Sequence, residues 1–333
     1  MNNETSSNDT SSPVFSCLTP DTVINAVEDA TGERCTSLCR PLNSYINRVY
    51  EVGLAGGGFV IAKFYRPGRW GRDALQDEMD FLHELHEAEV PVVPPIPGNG
   101  GALLHDLSGI WFAVFPKKGG RPVDSPTRDE WVQLGRLIAR VHAVGASRMP
   151  RDRIRLHPQH SSMEHLGYIL GSGTVSSQFM DAYERTVREV IDLITPCFDG
   201  VETFRIHADC HFANILHRPD EGYHLLDFDD MAVGPAVQDL WMILPDRAAR
   251  ARDEINLFLE GYETFMSFPY DTLDLIEPLR AMRFIHYTAW CARQKADGKY
   301  ARLPEDWGCD AFWRQEVNDL VTQREEILGV LDK

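Results

Sequence analysis

A chain of 333 residues, 43% of them hydrophobic, suffices for one large or two medium domains with buried cores. Asp and Glu total 50 against 33 Lys and Arg, a formal net charge of −17 that speaks against nonspecific nucleic-acid or anionic-membrane partners, which need clustered cations. No apolar run approaches the roughly 18 to 20 residues that span a bilayer, so no membrane association and a cytoplasmic location are expected.

Residues 1–12 are polar, lack the basic and apolar regions of a leader, and read as a disordered N-terminus. Thr19-Pro20-Asp21 then gives a helix start, with Val23, Ile24 and Val27 on one apolar face. Between 36 and 65 the pattern changes to short runs rich in β-formers at 37–41, 49–52 and 59–65, an antiparallel meander with tight turns. Gly56-Gly57-Gly58 reads as a hairpin turn. The polar turn at 42–48, with Asn43, Ser44 and Asn47, offers amide and hydroxyl donors suited to phosphate oxygens.

Lys63 ends the most apolar of these strands in a Val60-Ile61-Ala62-Lys63 run, close to the strand from which kinases present a lysine to nucleotide phosphates. Residues 72–87 follow with helical spacing at Leu75, Met79, Leu82 and Leu85, and Glu78 lies within them, placed to pair with Lys63. After a Pro/Gly-rich loop at 91–101, Leu103-Leu104 and residues 110–115 read as two more strands, completing a five-stranded sheet. Gly119-Gly120 marks a hinge, and the backbone of Phe115 to Lys117 is available to the edge of an adenine ring. The division expected is an N-lobe at 13–116 and a C-lobe at 117–333.

Beyond the hinge the period is helical, with apolar stripes at Trp131, Leu134, Leu137, Ile138 and Val141, at Tyr183, Val187, Val190, Ile191 and Ile194, at Ile276, Leu279, Met282 and Ile285, and at Leu320, Val321, Ile327, Leu328 and Leu331. Arg148, Arg151, Arg153 and Arg155 in the loop-rich stretch 145–174 read as surface ion pairing with the excess acid. The seven cysteines are scattered, without a C-x-x-C pair, and read as reduced thiols, Cys210 among them as a packed one.

His207, Asp209 and Asn214 stand in an H-x-D-x-x-x-x-N frame, the spacing of the loop with which kinase-type enzymes transfer phosphoryl groups. Asp227 follows after a short hairpin, where such enzymes keep a metal-binding aspartate. The chemistry explains the spacing: one carboxylate must stay beside the attacking hydroxyl to accept its proton, while a second carboxylate and an amide oxygen converge on magnesium, a hard cation. Ile215-Leu216 and residues 223–226, two strands around the turn at 217–222, would bring these groups together.

Pro41-Leu42-Asn43-Ser44-Tyr45, Lys63-Phe64-Tyr65-Arg66-Pro67, Phe112-Ala113-Val114-Phe115-Pro116 with Gly119-Gly120-Arg121, the 207–214 loop, the stretch from Gly234-Pro235 to Trp241-Met242 and Ile276-Glu277-Pro278 through Arg283 run through nearly the whole chain. In combination they resemble the stress response kinase A family of bacterial serine/threonine protein kinases, within the wider group of choline and aminoglycoside phosphotransferase-like kinases. The resemblance implies an α+β, bilobal, protein-kinase-like fold with a five-stranded antiparallel N-lobe sheet and a mainly helical C-lobe. It implies Asp209 as catalytic base, Asn214 and Asp227 as magnesium ligands, Ser44 at the nucleotide site, and Asp239 bracing the 207–214 loop. The reaction expected is transfer of the ATP γ-phosphoryl group to a Ser or Thr hydroxyl of a protein substrate by a monomer, with Mg²⁺ on the phosphates, Lys63 neutralising them and Glu78 orienting Lys63. Ala208 stands where this group commonly has glycine, so a left-handed backbone there would be strained. Asp229 stands in place of the glycine of D-F-G and is a possible extra metal ligand; His207 and His211 are expected to hydrogen-bond the loop. Two alternatives stay open: a small alcohol or aminoglycoside acceptor, drawn by Asp246, Asp253 and Glu254, or a nucleotide-binding scaffold without catalysis.

Overall fold

The structure, a computed structural model, describes residues 13–123, 125–219, 221–296 and 303–332; the stretch expected to be a disordered N-terminus lies outside the described residues. They divide into two compact units. The first holds the described residues of Met1–Trp70, Ile96–Lys117 and Arg293–Pro304, and the second those of Gly71–Pro95, Lys118–Ala292 and Glu305–Lys333.

In the first unit α1 (Pro20–Thr31) starts where the Thr19 hydroxyl accepts from the Thr22 N–H, with Pro20 supplying a preset φ, and stops at Gly32 in the left-handed region. The sheet comprises β1 (Cys35–Leu42), β2 (Arg48–Leu54), β3 (Phe59–Phe64), β4 (His105–Leu107) and β5 (Ile110–Pro116), antiparallel in the order β1-β2-β3-β5-β4. One strand differs from expectation. The fourth occupies 105–107 and leaves Leu103-Leu104 outside it, because the Ser108-Gly109 turn, both residues at positive φ, pairs Leu107 with Ile110 and register is counted back from there. Val27 of α1 packs on the face carrying Val52, Ala62 and Val114, and Phe64 stacks on Phe112 with ring centroids 4.9 Å apart.

The second unit carries α2 (Arg72–Glu87), α3 (Arg128–Gly145), α4 (Met163–Gly171), α5 (Met180–Ile194), α6 (Val237–Trp241), α7 (Arg252–Tyr262), α8 (Ile276–Lys295, as far as Ala292) and α9 (Asp310–Leu331). Helices α3 and α7 meet backbone to backbone: a Cβ at Gly135 would stand 1.9 Å from the Phe258 carbonyl oxygen, and one at Gly261 1.9 Å from that of Val132. The stripe of α9 is narrower than expected. Trp313, Leu320 and Ile327, seven apart, are buried, whereas Leu328 and Leu331 are 40% and 41% exposed, so these two leucines are not core.

Five short strands complete this unit: β6 (Arg121–Pro122), β7 (Phe204–Ile206), β8 (Ile215–Arg218), β9 (Gly222–Leu225) and β10 (Ala232–Gly234). Strand β7 pairs antiparallel with β10, Ile206 opposite Ala232, and β8 with β9, Ile215 opposite Leu225. One hairpin is therefore nested inside another, and the two connections between them, 207–214 and 226–231, must lie side by side.

Candidate active site

The nesting gathers the residues singled out by their spacing. The Leu226 N–H donates to the Asn214 carbonyl at 2.8 Å, and His207 Nε2 bonds the Leu226 carbonyl at 2.8 Å, so the loop bearing Asp209 and Asn214 is tied to the residue before Asp227 from both of its ends. Asn214 donates from Nδ2 to the Asp209 carbonyl at 3.0 Å, which leaves Oδ1 as its remaining side-chain acceptor. Phe228 is fully buried, with the His207 ring 4.6 Å and the Phe81 ring 5.6 Å from it, and anchors the second loop.

Asp209 sits in a cationic corner. Its Oδ1 accepts from Arg283 Nη2 at 2.8 Å and its Oδ2 lies 3.4 Å from His211 Nε2. Burial alone would push this carboxyl up; the His211 hydrogen bond and the Arg283 guanidinium outweigh it and hold Asp209 well below the usual carboxylate range. His211 is raised in turn by its hydrogen bond to Asp209. Burial pushes the Cys210 thiol up, and Asp239 and Asp209 add to it, so this cysteine is a packed thiol.

Beneath the loop Asp239, fully buried on α6, accepts from the backbone N–H of His207 at 2.9 Å and of Ala208 at 2.7 Å, and meets His142 Nε2 at 2.9 Å. Gln238 donates from Nε2 to the Ala208 carbonyl at 2.9 Å. Both polar groups of the Ala208 backbone are thus met by side chains of α6. They hold Ala208 at φ 67°, the left-handed conformation that the alanine for glycine exchange made costly. Asp227 is also left-handed, at φ 57°.

The remaining residues divide between the units. In the first, Lys63 is 9% exposed on β3, between Val49 and Ala113, with Nζ 4.9 Å from the Tyr65 ring centroid. Ser44 is half-buried in the 42–48 turn, where Asn47 is buried and accepts at Oδ1 from the Arg66 N–H, a bond that fixes the turn. Phe115 pairs with Ile61 in the sheet, and the Lys117 N–H donates to the Phe59 carbonyl at 3.4 Å. The Lys117 ammonium lies 2.5 Å from Glu51, a buried strand carboxylate that no local pattern singles out, and that hydrogen bond holds Glu51 below its usual range.

In the second unit Glu78 is 1% exposed on α2 and meets Arg153 Nη2 at 3.4 Å. Arg153 also donates from Nε to the Ala74 carbonyl at 2.8 Å and from Nη1 to the Asp229 carbonyl at 2.7 Å. The expectation that the 148–155 arginines pair at the surface holds for Arg148 and Arg151, which reach Asp80, and fails for Arg153. Its side chain is buried because three acceptors from α2 and the 228–230 turn satisfy the guanidinium fork. No local pattern separates it from its neighbours in the sequence.

The donor set fits a small hard cation. Among the described residues no three His, Cys, Asp or Glu side chains group as a metal site. One carboxylate, Asp227, and one amide oxygen, from Asn214, match an ion that keeps most of its shell as water and phosphate oxygen.

Residues 38–276 match the model of the phosphotransferase enzyme family. The chain is 36% identical over 311 residues to stress response kinase A of Escherichia coli (strain K12), covering 93% of each chain, and 34% identical over 311 residues to serine/threonine protein kinase RdoA of Salmonella typhimurium, again 93% of each. Among solved structures it resembles amicoumacin kinase hAmiN in complex with AMP-PNP and Ca²⁺, at a TM-score of 0.70 and 17% identity over 92% of both chains, a likeness of fold. No helix of the described residues is long and apolar enough to cross a membrane. With its kinase-like mixture of helices and a five-stranded antiparallel sheet, the chain belongs to the phosphotransferase enzyme family and, within it, to the family of stress response kinase A.

Proposed function

We propose that the chain is an ATP-dependent serine/threonine protein kinase. The observation that carries this reading is the nested pair of hairpins, which ties the loop of Asp209 and Asn214 to the residue before Asp227 through backbone and histidine bonds. Asp209 accepts the proton of a Ser or Thr hydroxyl as its oxygen attacks the γ-phosphorus; the bond from that phosphorus to the β,γ-bridging oxygen breaks, and ADP leaves. The contacts with His211 and Arg283 keep Asp209 ionised and set its orientation toward the hydroxyl, at some cost in basicity. Asn214 and Asp227 would hold Mg²⁺, which when bound neutralises phosphate charge. In the first unit, Lys63, Ser44 and the backbone from Phe115 to Lys117 serve the nucleotide. Most of the rate comes from positioning and electrostatics. The names borne by the relatives favour a protein acceptor, and the reading extends to a monomer acting in the cytoplasm.

Labelled γ-phosphoryl transfer to a pool of Ser- and Thr-centred peptides tests this. Asp209→Asn is expected to lower kcat about a hundred- to ten-thousandfold while nucleotide binding persists. Turnover at the wild-type rate in that variant, or labelling of amino alcohols with none of peptides, would refute the reading.

A further inference from the structure

The chain enters α4 through a single π-turn, Pro158–Ser162. Such a turn is wider than an α-helical one, and the consecutive Ser161 and Ser162 both line a cavity of about 60 Å³ within the second unit. The Ser161 hydroxyl donates to the His157 carbonyl at 3.1 Å. Ser162 is 1% exposed, and its Oγ meets no hydrogen-bond partner among the described residues. A buried hydroxyl is costly to leave so, and this one borders a space that a polar ligand can fill.

Ile154, Leu156, Leu279 and Met282 give the cavity an apolar wall, which two residues of fixed charge interrupt: Arg283 of α8 and Asp230 of the turn that follows Asp227. A lone cation there would meet the guanidinium, and a lone anion the carboxylate. A ligand that carries both charges finds a partner for each. Arg283 bonds Asp209 through Nη2 at 2.8 Å, which uses one N–H of the guanidinium fork. At about 10 to 15 Å³ for each water-sized group, the cavity admits roughly four to six heavy atoms. Glycine and alanine fall in that range, and leucine does not.

We propose that this cavity is a binding site for a small α-amino acid in its zwitterionic form. The ligand carboxylate meets Arg283 and the Ser162 hydroxyl, the ammonium meets Asp230, and the methyl of alanine packs on the apolar wall. Glycine and alanine carry no hydroxyl, so the site is distinct from acceptance of a phosphoryl group and does not rest on the reading of Asp209 as the base. It bears on Asp209 all the same, because the ligand and Asp209 share one guanidinium, and each weakens the hold of the other.

Saturation-transfer NMR titration of the full chain tests this with glycine and alanine, beside acetate, ethylamine and leucine. Glycine and alanine are expected to bind saturably with a Kd of about 10 μM to 1 mM, the range open to so few atoms. Acetate, ethylamine and leucine should bind at least about tenfold more weakly. Ser162→Ala removes a hydroxyl without a protein partner, so thermal unfolding should stay as in wild type while affinity falls about three- to tenfold. Asp230→Asn and Arg283→Met are each expected to weaken binding about tenfold or more. Asp209→Asn releases Arg283 and should tighten glycine about two- to tenfold. Absence of saturable binding of both amino acids up to about 10 mM would overturn the proposal. So would leucine bound as tightly as alanine, acetate bound as tightly as glycine, or wild-type affinity in Ser162→Ala. Wild-type affinity in Asp209→Asn would overturn the sharing of Arg283.

Discussion

In the hairpin between β2 and β3, Gly57 and Gly58 take φ 94° and 85°, and nothing lies within 4 Å of where a Cβ would stand. In the loops around Asp209 and Asp227, Ala208 and Asp227 take φ 67° and 57° with side chains in place. The first turn only reverses the chain, and glycine does that with no further support. The second must hold a carboxylate at a set place, and its strain is offset from below by Asp239 and Gln238, which occupy the Ala208 N–H and C=O. Where a backbone conformation serves a side chain, its cost is met by buried hydrogen bonds elsewhere in the chain.

The largest way to break this contrast is Asp239→Ala. It strands two backbone N–H groups and the fully buried His142, and should destabilise the protein by about 3–5 kcal/mol in denaturant unfolding, with loss of phosphoryl transfer. A loss under 1 kcal/mol would mean that Asp239 is not what holds the loop. Gly57→Ala places a Cβ at positive φ in open space, so about 1–2 kcal/mol of stability should go while kcat stays at the wild-type value. A fall in kcat there would tie this turn to catalysis. In the opposite sense, Ala208→Gly should raise stability by up to about 1 kcal/mol by relieving the left-handed alanine, read as a higher denaturation midpoint at unchanged slope.

The smallest effect concerns a carboxylate that does similar work at the surface. At the start of α3, Glu130 accepts from the Thr127 N–H at 2.7 Å while the Thr127 hydroxyl accepts from the Glu130 N–H, and the Thr127 bond lowers the Glu130 carboxyl. A depressed carboxyl contributes stability that is present above its unfolded value and is lost as pH falls through its folded value. Glu130→Gln should therefore cost a few tenths of a kcal/mol at pH 7 and nothing once both states are protonated. A cost that grows on acidification would reverse the sign and refute the cap.

What was legible in the sequence follows the same division. The runs of β-formers in β2 and β3, the helical spacing of α2 and the paired strands β8 and β9 are local patterns, and the sequence places them within a residue or two. The frame of Asp209, Asn214 and Asp227 was visible because the chemistry fixes its spacing. Arg153, Glu51 and Arg283 were not, because their roles depend on partners 11 to 79 residues away along the chain and on burial that no window reveals. The exposed Leu328 and Leu331 show the converse, apolar residues on a helical stripe that tertiary packing does not use.

The most direct measurement is a crystal structure of the chain grown with AMP-PNP and Mn²⁺ as an anomalous stand-in for magnesium. The expected result is a metal peak bound by Asn214 Oδ1 and an Asp227 carboxylate oxygen, with Asp209 outside its coordination shell and still on Arg283. A peak ligated by Asp209, or one away from Asn214 and Asp227, would contradict the division of labour between proton acceptance and metal binding.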